Sequence, residues 1–200
     1  MLSKVLSKYY WRFIFFIAAN CFFVALNAQN FEMRLLLNIN KNDNKNFTNV
    51  MKGFSISMMP ISLATPVAIF YDEHKNKSKP DTWNAVGAIV STGIITQIIK
   101  STVKRPRPFQ TYPTIIKRSH AGGYSFPSGH TSLSFCAATT LALHYKKWEV
   151  AVPAFAWAAT VAYSRMQLGV HYPTDVLAGM AIGILAPVAV WKISERVRRR

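Results

Sequence analysis

Acidic side chains are scarce in this chain of 200 residues, where 8 Asp and Glu stand against 24 Lys and Arg for a formal charge of +16. From Trp83 to Lys192 the only carboxylates are Glu149 and Asp175. Phosphoryl chemistry on Mg²⁺ or a metal pair needs several oxygen ligands, and paired-carboxylate glycosidases need two positioned acids, so neither site can be assembled. A zinc centre would need three or four close ligands, and His130, His171 and Asp175 fit a different arrangement better, so no metal and no cofactor is expected. Cysteine is nearly absent too: Cys21 and Cys136 each lie in an apolar stretch, which excludes a disulfide between loops and leaves two packing residues. The chain has no internal repeat and no low-complexity tract.

What is present is apolar sequence, 50% of all residues. Lys4, Lys8 and Arg12 precede the run Phe13 to Leu26 and then Ala28-Gln29, the pattern of an export signal or, if uncut, of an N-terminal anchor helix over 1–28. Residues 29–52 are polar and Asn-rich, an outer (periplasmic) lead-in with one short amphipathic helix around Phe31 to Leu37 and no chemistry. Five uncharged runs follow: Gly53 to Tyr71, Thr82 to Ile99, Ser128 to Tyr145, Val150 to Tyr163 and Val176 to Trp191. A spanning helix takes about 20 residues, so the first three runs qualify directly and the last two are short. The expectation is all-α, a multi-span transmembrane helical bundle of about five spans plus the N-terminal signal or anchor helix. One domain covers 53–192, and 193–200 is a basic cytoplasmic tail. An exported soluble helical bundle is the alternative.

Tyr71, Trp83, Tyr145, Trp148 and Trp191 fall at the same alternate ends of the runs, as an interfacial belt requires, with Tyr124, Tyr163 and Tyr172 at the opposite ends. Trp157 sits mid-run and reads as core. Starting outside after the leader, loops 72–81 and 146–149 and the Arg-rich tail fall inside, in line with the positive-inside bias. The outer loop 100–127 is also basic, which fits ligands for an anionic head group. The charge is thus assigned to membrane and lipid phosphate, with no nucleic acid partner.

Three clusters carry the chemistry: Lys100 with Arg107-Pro108, then Pro127-Ser128-Gly129-His130, then Ser164-Arg165 with His171 and Asp175. Lys100, Arg107 and Arg165 can surround a tetrahedral anion, the two arginines through bidentate, charge-assisted bonds. Pro127 suits a first helical turn, where Ser128 and Gly129 offer a hydroxyl and open N–H groups to an anion. His171 and Asp175 are one helical turn apart, so the carboxylate can hold one ring nitrogen and leave the other as a nucleophile. On the five-span topology all three clusters surface on one side of the membrane.

The order Lys-x6-Arg-Pro, Pro-Ser-Gly-His, Ser-Arg-x5-His-x3-Asp resembles the type 2 phosphatidic acid phosphatase and haloperoxidase superfamily over roughly residues 53 to 192. The stretch Gly169-Val170-His171-Tyr172-Pro173-Thr174-Asp175 looks most like its membrane-bound branch. The resemblance implies a metal-independent lipid phosphatase at the periplasmic face of a bacterial-type inner membrane. In that reading His171 attacks phosphorus, His130 protonates the leaving oxygen, Asp175 orients His171, and Lys100, Arg107, Ser128, Gly129 and Arg165 bind phosphate. Undecaprenyl diphosphate, lipid A phosphate, phosphatidylglycerophosphate and phosphatidate are the candidate substrates. The other readings are a soluble broad-specificity acid phosphatase, a vanadate haloperoxidase, and a lipid-phosphate binding or transport protein that does no chemistry.

Overall fold

The computed structural model describes residues 31–77 and 80–199. The chain divides into two compact units, Met1–Leu35 and Leu36–Arg200. In the first, the described residues 31–35 are helical, and the leader expected over 1–28 lies outside the described residues. In the second, residues 36–40 are helical, and among the described residues six helices follow: α1 Lys45–Asn76, α2 Thr82–Val103, the short α3 Pro108–Thr111, α4 Gly129–Tyr145, α5 Trp148–Gln167 and α6 Pro173–Arg198. Among the described residues there is no strand.

Each of the five apolar runs lies in a long helix, and several helices outrun them. α1 starts at Lys45, ahead of the apolar Gly53, because the Asn44 side chain accepts from the Asn46 and Phe47 N–H groups at 2.9 and 3.1 Å and so caps a polar first turn. α6 continues through the polar residues to Arg198 and becomes one of the helices long and apolar enough to cross a membrane, with Lys45–Asn76 and Thr82–Thr111. The length expectations for the third and last runs therefore trade places. α4, with 17 residues, is too short to meet that standard, while the last run is embedded in 26 helical residues.

The inversion has a packing cause. α4 touches α1, α2, α5 and α6, so its middle turns are buried and built of small residues. Two of its hydroxyls bond within the helix, Ser132 Oγ donating to Ser128 O at 3.0 Å and Ser134 Oγ to Thr131 O at 3.1 Å, while buried Thr139 Oγ1 and Thr140 Oγ1 have no partner among the described residues. The long helices instead expose apolar stripes, Ile56, Met59, Leu63 and Val67 on α1 and Val90, Ile94 and Ile98 on α2. An apolar outside around a small, polar-tolerant inside is what hydrocarbon solvent selects.

Two glycines set the tightest contact. A Cβ at Gly179 would stand 2.7 Å from Ser128 O, and one at Gly183 2.4 Å from Ser132 O. α6 therefore lies on the α4 backbone, and Ser128 N donates to Asp175 O at 3.0 Å, tying the second cluster to the third. Of the expected belt, Tyr71, Trp83 and Trp148 are exposed at one end. Trp191 is not an anchor: it is buried against Ile69, Ala85, Ala88 and Cys136, since its position on α6 faces the helices rather than lipid. Tyr172 is likewise buried. Trp157 packs inside, its Nε1 donating to Ser57 Oγ at 3.0 Å.

Candidate active site

Lys100 at the end of α2, His130 at the start of α4, Arg165 at the end of α5 and Asp175 at the start of α6 share one end of the bundle. His171 lies in the tight α5–α6 connection, which turns at Gly169 with φ +73; a Cβ there would stand 2.4 Å from Ile116 O. Only glycine fits that turn.

The structure joins the first and third clusters directly. Arg107 Nη1 lies 3.2 Å from His171 Nε2 and donates to Val170 O at 2.8 Å. Its Nη2 and Nε donate to Gly122 O and Gly123 O at 2.7 and 3.1 Å, which gathers the long α3–α4 connection over the site. The other ring nitrogen, His171 Nδ1, faces Asp175 Oδ2 at 3.5 Å. A carboxylate on Nδ1 favours the tautomer with its proton there and the lone pair on Nε2. Burial above all, then the charges of Arg165 and Arg107, hold His171 down to about 4 against the pull of Asp175, so the ring is neutral near pH 7.

Lys100 Nζ donates to Tyr124 O and Pro127 O at 2.8 and 2.9 Å, leaving one of its three donors. Arg165 is buried; one arm reaches Ser55 Oγ, while its Nε has no partner among the described residues. His130 has Arg165, His171, Arg107 and Lys100 as its electrostatic neighbours. It lines a cavity of ≈ 400 Å³ with Arg165, Ser55, Lys52, Ser119 and His120.

The second cluster differs from expectation in detail. Pro127 is outside the helix: α4 opens at Gly129 with Ser128 as its N-cap. The Ser128 hydroxyl accepts from Thr131 Oγ1 at 3.0 Å, so its first task is capping, and its own N–H is bound to Asp175 O. The N–H groups left for an anion are those of Gly129 and His130 in the open first turn.

Several participants were not visible in the motifs. Arg105 Nη1 pairs with Asp175 Oδ1 and Thr174 Oγ1 at 2.8 and 2.7 Å, and its guanidinium stacks 3.8 Å over the Tyr172 ring. Ser125 Oγ donates to Asp175 Oδ2, and Tyr172 N donates to the same oxygen at 2.9 Å. The lead-in, expected to be idle, supplies Lys52 to the cavity. It also holds buried Asn40, whose side chain bonds Ile116 O, Ile116 N and Gln167 O at 3.0, 2.9 and 3.0 Å. The spacing of the motif residues carries no trace of these; Arg105, two residues before Arg107, was readable only as surface charge.

The chain belongs to the PAP2 superfamily, whose family model matches residues 81–199. It is 35% identical over 141 residues to the bacitracin transport permease protein BcrC of Bacillus licheniformis, covering 69% of this chain and 68% of that one. It is 29% identical over 159 residues to phosphatidylglycerophosphatase B of Bacillus subtilis, covering 74% and 72%. The crystal structure of a transmembrane PAP2-type phosphatidylglycerolphosphate phosphatase from Bacillus subtilis shares the fold, with a TM-score of 0.71 at 23% identity over 86% of this chain and 88% of that chain.

Proposed function

We propose that this protein is an integral membrane, metal-independent lipid phosphatase that hydrolyses a phosphate or diphosphate head group, and that residues 53–192 form its catalytic domain. The observation that carries the reading is buried His171, with Nδ1 toward Asp175 and Nε2 beside Arg107. A binding or transport site for lipid phosphate needs the cations but not an oriented, neutral imidazole.

The phosphoryl group sits among Arg107, Arg165 and Lys100 at the first turn of α4, where Arg165 Nε and the Gly129 and His130 N–H groups donate to its oxygens. The His171 Nε2 lone pair attacks phosphorus in line with the ester or anhydride bond. That bond breaks, and His130 delivers a proton to the departing lipid oxygen. Water, deprotonated by His130, then cleaves the phosphohistidine and releases inorganic phosphate. The cations stabilise the charge that gathers on the equatorial oxygens in both steps.

The motif end faces the periplasm of a bacterial-type inner membrane in this reading, supported by the basic leader and the basic tail 193–200. Five membrane crossings follow if α4 and α5 cross within the ring of longer helices. The experiment is phosphate release by detergent-solubilised protein, with EDTA present, from undecaprenyl diphosphate, lipid A, phosphatidate and a water-soluble phosphomonoester. Turnover of a lipid in EDTA is the expected result. Activity on the soluble ester alone would replace the reading with an exported acid phosphatase.

A further inference from the structure

A second cavity, of ≈ 1020 Å³, opens at the other end of the bundle, where α1, α4 and α6 finish and α2 and α5 begin. Its apolar wall includes Leu143 and buried Trp191. Its acids Asp72 and Asp81 are already engaged. His144 stands between them, Nε2 3.1 Å from Asp72 Oδ2 and Nδ1 3.3 Å from Asp81 Oδ2. Arg198 Nη2 lies 3.2 Å from Asp81 Oδ1, and Asn84 and Asn76 donate to Asp81 and Asp72 at 2.9 and 2.7 Å.

The rim is different. Lys77, Lys146, Lys147 and Arg199 come from three separate chain segments, are all exposed, and have no acid partner among the described residues. Against them stands Glu195; over the whole lining, Arg198, Asp72 and Asp81 included, five positive and three negative charges leave a formal excess of two. Lys77 and Lys146 are fixed at helix ends in the left-handed conformation, with φ 49 and 53. Lys147 is the N-cap of α5 with no side-chain cap bond, so first-turn N–H groups stay open at the rim, while Glu149 in that turn offsets the positive end of the helix dipole.

Depth decides the ligand. Tyr71, Trp83 and Trp148 are exposed at this same end, which places the rim at the level of lipid head groups and the Leu143–Trp191 wall beside the first acyl carbons. Cationic pockets between helices at that depth suit phosphate-bearing head groups. We infer that this cavity binds the head group of an anionic phosphodiester phospholipid, at a site separate from the three motifs. A phosphodiester lacks the terminal phosphate of a phosphatase substrate, so the site holds its lipid without consuming it, whatever the chemistry at the motif end.

The test is native mass spectrometry of the full chain in detergent with equimolar phosphatidylglycerol and phosphatidylcholine, comparing wild type with the triple variant K77Q/K146Q/K147Q. Wild type should retain phosphatidylglycerol preferentially, and the variant should lose that preference by at least about tenfold in apparent Kd, one lost charge contact being enough for such a factor. Arg165→Ala, at the motif end, should leave the preference intact. Equal retention by wild type and the triple variant, or loss with Arg165→Ala alone, would overturn the inference. Competition by millimolar inorganic phosphate as effective as by the lipid would overturn the lipid assignment in favour of a soluble phosphate ester. If the triple variant fails to fold, K146R/K147R, which keeps the charge, must retain the preference while K146Q/K147Q weakens it.

Discussion

Arg105 Nη1 lies 2.8 Å from Asp175 Oδ1, while the opposite carboxylate oxygen accepts from Ser125 Oγ and Tyr172 N and faces His171 Nδ1. Asp175 is thus gripped on one side so that it can orient the imidazole on the other. Arg105→Ala should therefore act through His171: kcat for phosphate release should fall by about 10²-fold, the scale of a small misplacement, with KM nearly unchanged. Arg105→Lys keeps the charge but loses the fork and the stack on Tyr172, and should recover only part of the rate. A rise in KM at constant kcat would mean that Arg105 binds substrate instead.

The contrast between Arg105 and Arg107 shows what was legible in the sequence. Lys100, Arg107, His130, Arg165, His171 and Asp175 have fixed spacings inside three motifs, and the fold brings them to one end as expected. The partners of Arg105, Ser125 and Asn40 lie across the fold in Asp175 and Ile116, and such pairings exist only once the helices are packed. Helix lengths were less legible for a related reason: hydropathy marks the surface that faces lipid, whereas α4 is enclosed by protein and built largely of Ser, Thr and Ala, and α6 runs past its apolar stretch to Arg198. Trp191 misled because an aromatic at the end of a run carries no sign of which side of the helix it occupies.

The glycines of α6 give a test of the packing. Gly183→Ala would push a methyl against Ser132 O and Phe135 Cβ, 2.4 and 2.7 Å away, and should cost about 1–3 kcal/mol of stability. Gly179→Ala presses on Ser128 O, the carbonyl beside the Ser128–Asp175 link, so it should lose activity as well as melting temperature. Gly53, with nothing within 4 Å of its Cβ position, is the control, and Gly53→Ala should leave the melting temperature unchanged or raised. Thermal melts in detergent beside activity assays check all three.

Asn40 joins the lead-in to the 112–127 connection and to the end of α5. Asn40→Ala takes the Asn40 partner from the Ile116 N–H and C=O and leaves Gln167 O to Arg118 Nη1 alone, a loss of about 1–3 kcal/mol. The connection it anchors also carries Gly122 and Gly123, which hold Arg107. Limited proteolysis should cut within 112–127 faster in the variant, and unchanged cleavage would show that the loop is held from elsewhere.

The nucleophile assignment makes a prediction in pH. His171 must be neutral to attack, and its folded-state value is held at about 4, below the usual 6.5, chiefly by burial. Between those values the unfolded chain binds a proton that the folded site refuses, so this group lowers stability as pH falls from 6.5 toward 4 while the enzyme that remains folded stays competent. The acid limb of kcat/KM should therefore fall near pH 4 and not near 6.5. Melting temperatures taken across the same range separate loss of fold from loss of the neutral ring. His171→Ala should abolish turnover at every pH while leaving the melt intact, and an acid quench of wild type with labelled substrate should lose the protein-bound phosphate that base quench preserves. A limb at 6.5, or label that survives acid, would move the nucleophile away from His171.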